Sequence, residues 1–277
     1  MGLTIHFTLV APPETDAARA KELVGQLRRR ALGFKQRGRV DSIHPLGNDA
    51  EALRWAEEWR FFPVPDHPER RHEINVKPVQ GFLFLVGVGA DCEPLWLGLC
   101  RYPLTVRVEG VLRRTDLRGW LLNGFCKTQY ASLHGWEHFR RCHTAVIDLL
   151  AGARRLELAV EINDEGDYWS GRDLAALRRS LDEMNGAIAA AAGVLKDWSE
   201  ETGGAPVQAP ILAHPQFERL EAVGEARGYA SRLRKVLRWV ACLQVEAAEN
   251  LPREGHRQDA MIAAQSLKDR WAARSSS

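Results

Sequence analysis

The sequence predicts an α+β fold in which a mixed β-sheet is covered by helices. Short segments of alternating or continuous apolar residues recur from residue 3 to residue 162, with the length of β-strands. The segment 170–198 instead repeats apolar residues at intervals of three and four, which is the period of an α-helix. Because both patterns occur in one chain, we expect strands and helices to share a core.

In the first half of the chain, the alternation of Leu3, Ile5 and Phe7 with other residues predicts a strand at 3–10. Pro12 and Pro13 end it, and a helix and a second strand are expected next. The segments up to residue 112 follow from the same two periods. They are a helix at 15–32, a strand at 39–46, a helix at 49–60, a loop at 61–78, and strands at 81–89, 95–102 and 105–112.

The second half of the chain repeats the order of elements found at its start. A strand at 120–130 precedes a helix at 135–153 and a strand at 156–162. The same succession of strand, helix and strand begins at residue 3. The repeated order indicates a pseudo-duplicated βαβ unit.

The C-terminal part predicts a pair of long helices, at 170–198 and 216–249. The segment 205–215 between them contains three prolines, which is typical of a linker. We therefore expect an α+β core domain at 1–204. Residues 205–277 are expected to form a linker and a C-terminal helical region that packs on the core.

The composition excludes several classes of protein. A net charge of +2 in 277 residues is far from the basic surplus of a dedicated nucleic-acid binder. Apolar runs such as 81–90 are too short to span a membrane. The five cysteines are widely spaced and form no CxxC pair, which favours a reducing compartment. We expect a cytoplasmic protein with neither a nucleic-acid nor a membrane partner.

Titratable and hydrogen-bonding residues concentrate where the predicted strands end, which is where α/β sheets tend to place ligands. We expect three of them to act as catalytic groups and four to hold the ligand. The predicted catalytic residues are Glu165, Asp164 and His143, and the predicted ligand-binding residues are Arg101, Lys127, Gln129 and Tyr168. An arginine and a lysine in this set favour a small polar or anionic molecule.

Most of these residues also have a structural interpretation. His143 lies on the apolar stripe of its helix, so it can be a core histidine with a hydrogen-bonded ring. Asp164 and Glu165 precede a helix, where the helix dipole alone favours acids. Lys127 can lie on the solvated face of an edge strand, and Arg101 can form a structural ion pair. The sequence leaves both interpretations open.

The sequence names no cofactor, and we expect no metal. Three cysteines and one histidine on neighbouring predicted elements lack the spacing of a zinc finger. They are Cys100, Cys126, Cys142 and His143. The GxSxG, Walker A, GxGxxG and HExxH signatures are absent from the sequence, which removes the enzyme classes that they mark.

Several runs of the sequence together resemble a bacterial family of uncharacterised proteins. The runs are GLTIH at 2–6, GLCRYP at 98–103, FCKTQYAS at 125–132, RCH at 141–143 and DEGDYW at 164–169. The resemblance covers most of residues 2–200. It implies a bacterial cytoplasmic protein and carries over no catalytic residue.

Two functions are compatible with these observations. The first is an enzyme or binding protein for a small polar or anionic ligand held at the strand ends. The alternative is a non-catalytic interaction subunit of a bacterial assembly. In that case the C-terminal helices would bind a protein partner or a second copy of the chain.

Overall fold

The computed structural model describes residues 3–45, 53–64, 67–231, 233–235 and 237, with the backbone alone for 67–69. Within these residues it confirms the predicted α+β fold. The chain divides into two compact units, one up to Leu181 and one from Asp182 onward. The predicted domain boundary at residue 204 stays a prediction.

We number ten strands and five α-helices in chain order, and residues 229–231, 233–235 and 237 are also helical. The strands are β1 Thr4–Val10, β2 Ser42–Pro45, β3 Glu58–Val64, β4 His67–Val76, β5 Gln80–Gly87, β6 Leu95–Arg101, β7 Thr105–Val108, β8 Val111–Arg114, β9 Trp120–Lys127 and β10 Ala159–Asp164. The helices are α1 Ala17–Gln36, α2 Trp136–Ala153, α3 Tyr168–Gly171, α4 Leu174–Thr202 and α5 Phe217–Ala226. Single 3-10 turns lie at Arg54–Ala56, Gln129–His134, Arg154–Leu156 and Pro210–Ala213.

Six of the described strands form one sheet in the order β10-β1-β9-β6-β5-β2. Each pair of neighbours in it is antiparallel. Because β9 and β10 both pair with β1 in this way, they run parallel to each other with β1 between them. The segment β9-α2-β10 is therefore a split β-α-β unit, and β1-α1-β2 is a second one with three strands between its ends. These units account for the repeated order of elements in the sequence.

The large sheet turns one face toward α1 and α2, and His6 and Phe125 are exposed on its other face within the described residues. In β1, Ile5, Phe7 and Leu9 are buried, whereas His6 and Thr8 alternate with them and point to the other face. The two helices add buried apolar residues to the first face, among them Leu23, Leu27, Phe34, Phe139, Val146 and Leu150. Because burial of apolar surface contributes about 25 cal/mol per Å², this face holds the main core of the first unit. We call the opposite face, which carries His6, the open face.

Residues 58–64 and 67–76 pair as an antiparallel ribbon, so the predicted helix at 49–60 and loop at 61–78 were wrong over these residues. Trp55 and Trp59 have helical spacing, but Trp55 lies in a 3-10 turn and Trp59 lies in β3, opposite Asn75. The register shifts between Pro63 and Val64, an irregularity of the kind at which a strand tolerates proline. Local spacing and proline content thus misled the sequence prediction.

The predicted strand at 105–112 is instead a hairpin of β7 and β8. Glu109 and Gly110 connect the two strands, and their φ angles are 48° and 84°. Two consecutive residues with positive φ are characteristic of the type I′ turn, which joins strands tightly.

In the second unit, the part of α4 after Leu181 packs closely against α5. A Cβ atom at Gly224 would lie 2.0 Å from the carbonyl oxygen of Gly186, so only glycine allows this approach. Gly228, with a φ of 80°, interrupts the helix predicted at 216–249. Residues 238–249 of that helix lie outside the described residues. Among the helices described, no stretch has the length and apolarity that a membrane crossing needs.

Candidate functional site

His143 and Asp164 form a buried polar pair at the end of β10. The side chain of His143 is fully buried, and that of Asp164 is 2% exposed. Nε2 of His143 lies 3.1 Å from Oδ1 of Asp164, although its N–H does not have hydrogen-bond geometry toward that oxygen. On the other side of the ring, Nδ1 shares a hydrogen bond of 2.9 Å with the Thr128 hydroxyl.

The Asp164 carboxylate also holds the turn between β10 and α3. Its Oδ1 accepts a hydrogen bond from the Gly166 amide at 2.8 Å, and its Oδ2 accepts from the amides of Tyr168 and Trp169 at 2.9 Å each. Burial raises the pKa of Asp164, but the His143 imidazole and the Gly166 and Trp169 amides outweigh it and hold the pKa below its usual value.

This geometry gives His143 and Asp164 a structural task, because both carboxylate oxygens are engaged and neither side chain faces solvent. The ring of Tyr168 lies edge-on to the His143 ring, 6.2 Å away, so the predicted ligand-binding tyrosine borders the same buried pair. The catalytic role predicted for His143 and Asp164 stays a prediction.

Glu165, Lys127 and Gln129 lie together at the start of β1. Oε2 of Glu165 accepts from the Thr4 amide at 2.9 Å, and the Gln129 side-chain oxygen accepts from the Leu3 amide at 3.2 Å. Lys127 pairs with Thr4 in the sheet, and its ammonium lies over the Tyr130 ring. The structure thus brings three of the predicted site residues to one end of the sheet, next to Asp164.

Arg101 does not join this group. It pairs with Trp120 at the first residue of β9, whereas Lys127 is at the last residue of that strand. At roughly 3.3 Å per residue, the two positions are about 23 Å apart. A single ligand held by Arg101 and Lys127 together would therefore have to span the length of β9.

The cysteines that the sequence analysis considered for a zinc site have other neighbours. The Sγ atoms of Cys126 and Cys92 are 4.0 Å apart. The Sγ atom of Cys142 lies 3.7 Å from Nε2 of His138 rather than beside His143. Burial raises the pKa of Cys100 to about 12, so this thiol stays protonated at neutral pH. Nowhere in the described part of the chain are three histidine, cysteine, aspartate or glutamate side chains arranged to hold a metal ion.

The open face contains a cavity of about 650 Å³ that the sequence did not predict. Segments from four parts of the first unit enclose it: β1, the run from the 3-10 turn into β3, the start of β6, and β9. Its described lining residues are His6, Trp55, Glu57, Glu58, Trp59, Glu93, Pro94, Trp96, Leu122, Asn123, Gly124 and Phe125. We call it the open-face cavity.

Four large aromatic side chains, Trp55, Trp59, Trp96 and Phe125, line this cavity. Trp55 and Trp96 stack with ring centres 4.6 Å apart and planes 14° from parallel. Trp55, Trp59 and Phe125 are 61%, 55% and 57% exposed, which is unusual for side chains of this size. Large apolar groups gathered in a concave surface are typical of ligand sites rather than of ordinary protein surface.

A chain of hydrogen bonds holds Glu58 in the lining of the open-face cavity. The Thr8 hydroxyl donates to Oδ1 of Asn123 at 2.8 Å, and Nδ2 of Asn123 donates to Oε1 of Glu58 at 2.9 Å. Burial raises the pKa of Glu58 above its usual value, and the amide of Asn123 and the charge of Arg60 only partly offset this. A partly buried carboxylate with a raised pKa in a concave site is a candidate functional group.

The two other glutamates have different partners. Glu93 accepts a hydrogen bond from the Lys127 amide at 3.1 Å. Glu57 accepts from the side-chain amide of Asn75 and lies 3.8 Å from the ammonium of Lys77. Three carboxylates therefore share the cavity with the aromatic rings.

A polar groove continues from the open-face cavity across the sheet. It has a volume of about 400 Å³ and shares three residues, among them His6 and Asn123, with the cavity. Glu161 and Asn163 of β10 line its far side, where they pair with Thr8 and His6. A ligand in the cavity therefore has room for a polar extension along β1.

Comparison of the chain with models of protein families, with curated proteins and with solved structures gives no match. The resemblance to a bacterial family therefore stays a prediction. So does the interaction function of the C-terminal helices, because much of the second one lies outside the described residues. The function has to be inferred from the geometry of the site.

Proposed function

We propose that the protein binds a small molecule in the open-face cavity. The observation that carries this proposal is the joint exposure of Trp55, Trp59 and Phe125 beside three glutamates in one concave surface. Aromatic groups that stay exposed gain no free energy from burial on folding, and a bound ligand would bury their surface favourably. A volume of 650 Å³ lies within the range of roughly 300–1,000 Å³ that is usual for ligand pockets.

The sequence predicted an enzyme or binding protein for a small polar or anionic ligand. The proposal keeps the binding of a small polar molecule but moves its site. The predicted site was at the strand ends, where His143 and Asp164 are buried and Arg101 is remote. The open-face cavity is accessible and offers both stacking surfaces and hydrogen-bonding groups. Its carboxylates disfavour an anionic ligand by charge repulsion.

Thermal denaturation with a panel of small molecules tests the proposal. The panel contains alkylammonium ions, neutral sugars, nucleosides and carboxylic acids. A ligand at 100 times its dissociation constant stabilises the native state by about 2.7 kcal/mol. For a unit of this size the melting temperature should then rise by about 5–11 °C.

Two variants identify the site. In Trp59→Ala, the apparent affinity for the ligand, obtained from the rise in melting temperature, should fall at least tenfold because a stacking surface is lost. Leu112→Ala is the matched control, since Leu112 is 62% exposed on β8 and does not line the cavity. Equal loss of affinity in both variants, or no stabilisation of the wild type by any class in the panel, would overturn the proposal.

A further inference from the structure

We infer that the ligand of the open-face cavity is a small organic cation, in which an ammonium or quaternary ammonium group is joined to a compact body. This inference rests on the proposed function and adds the chemical class of the ligand. It follows from the charge of the lining, from the state of its tryptophan rings and from the shape of the site.

The charge of the lining is negative. Glu57, Glu58 and Glu93 line the cavity, and no lysine or arginine is found among its described lining residues. Lys77 partly neutralises Glu57 at 3.8 Å. For the other two carboxylates, no lysine or arginine nitrogen of the described chain comes within ion-pair distance, and their nearest donors are amides.

Glu58 is partly buried, and desolvation disfavours its charged form more than the charge of Arg60 favours it. A cation placed beside Glu58 would relieve that cost, and the exposed Glu93 would add its attraction. A neutral ligand would hydrogen-bond to the carboxylates but leave their charge uncompensated. An anion would add repulsion. The carboxylates therefore select a cation among the three classes of ligand.

The tryptophan rings point to the same class. Elsewhere in the first unit the chain supplies its own cations to exposed ring faces. Arg178 lies over Trp136 at 4.9 Å, and Arg154 and Arg172 lie over Trp169 at 4.9 and 5.0 Å. At these two tryptophans, arginine side chains cover a ring face.

Trp55, Trp59 and Trp96 differ from those two tryptophans. In the part of the chain that is described, no arginine or lysine lies over any of their rings, and Trp55 and Trp59 are more than half exposed. Tryptophan is the strongest aromatic partner of a cation, and the attraction grows when the cation is desolvated. An organic cation from solution would take the position that arginine takes at Trp136 and Trp169.

The shape of the cavity limits the size of the ligand. Trp55 and Trp96 form one stacked wall. Phe125 lies beside His6, and the centres of these two rings are 6.2 Å apart. Glu58 is held in the lining by Asn123. The head group is expected between Glu58 and the exposed rings, and the polar groove along β1 can take a hydroxylated tail.

Choline and 3,3-dimethylbutan-1-ol test the inference, because they have the same shape and differ by the positive charge. Dissociation constants for both are measured by isothermal titration calorimetry and by tryptophan fluorescence on the full chain. We expect choline to bind at least tenfold more tightly than the neutral alcohol. Choline binding should weaken at least fivefold in Glu93→Gln and in Glu58→Gln, and should stay unchanged in Glu137→Gln, which removes a carboxylate on α2.

The outcomes separate this inference from the proposed function. If the neutral alcohol binds as tightly as choline, or if a neutral sugar binds and choline does not, the inference that the ligand is a cation is wrong. The cavity would still be a ligand site. Unchanged choline affinity in both Glu93→Gln and Glu58→Gln would also overturn the inference. If no class in the ligand panel stabilises the protein, the proposed function fails as well.

Discussion

Replacement of Asp164 by alanine should be one of the most destabilising single changes in the first unit. The carboxylate accepts from three backbone amides, those of Gly166, Tyr168 and Trp169, at 2.8–2.9 Å, and lies 3.1 Å from the His143 ring. Hydrogen bonds to a charged group contribute about 1.5–3 kcal/mol each, but they are not additive within one network. Because the side chain is buried, loss of the carboxylate leaves all its partners unsatisfied, and we expect a cost of about 3–5 kcal/mol.

Asp173→Ala is the matched control for this prediction. Asp173 accepts from the Ala175 amide at 2.7 Å and caps α4, but it is exposed. Removal of an exposed cap costs about 1 kcal/mol. The free energies of unfolding come from urea titration, with the m-value checked for constancy. If Asp164→Ala costs no more than Asp173→Ala, the buried network does not stabilise the fold as argued.

The same network predicts a pH dependence. The pKa of Asp164 is lower in the folded state than its usual value, so its ionised form stabilises the fold above that usual pKa of about 3.9. That stabilisation is lost as the pH falls through the folded-state pKa. The difference in stability between wild type and Asp164→Asn should therefore be constant near neutral pH and shrink below about pH 4. A difference that stays constant into the acid range would contradict this assignment.

Two further predictions concern single residues. The pKa of Glu58 is higher in the folded protein than in the unfolded chain, so ionisation of Glu58 opposes folding once the pH exceeds the unfolded-chain pKa. Glu58→Gln should therefore raise the melting temperature at pH 7 but lose this advantage at acid pH. Thermal scans at pH 4 and pH 7 check this, and a variant that is less stable at pH 7 would contradict it. In the second unit, Gly224→Ala should cost about 1–3 kcal/mol, because its Cβ would lie 2.0 Å from the oxygen of Gly186. Gly25→Ala in α1 is the control, with ordinary contacts of 3.8 Å, and should gain about 0.5–1 kcal/mol. Similar melting shifts in both glycine variants would refute the close helix contact.

The sequence predicted those parts of the fold that local patterns determine. The alternation around Ile5 and the apolar stripe of α2 gave strands and helices close to the observed ones. The ribbon of β3 and β4 was missed because its stability comes from pairing between the two strands rather than from local periodicity. The hairpin turn at Glu109 and Gly110 was missed because Glu-Gly is not among the strongest turn signals.

The site was less accessible to sequence reasoning than the fold. The burial of His143 was one of two interpretations that the apolar stripe of its helix left open, and its contact with Asp164 depends on the packing of α2 on the sheet. The open-face cavity joins His6, Trp59 and Trp96, which are far apart in the chain. Strand order brings them together, and strand order is set by tertiary packing. The strongest signal available was the unusual density of tryptophan and glutamate from residue 55 to residue 59.

The most direct test of the ligand site is a nuclear magnetic resonance titration of the tryptophan indole N–H groups. A ligand that stabilises the protein is titrated into ¹⁵N-labelled chain, with signals assigned by single Trp→Phe replacements. If the open-face cavity is the site, the indole signals of Trp59 and Trp96 shift while those of Trp136 and Trp169 stay in place. Shifts at Trp169, next to Asp164, without shifts at Trp59 and Trp96 would place the ligand at the strand ends and contradict the account.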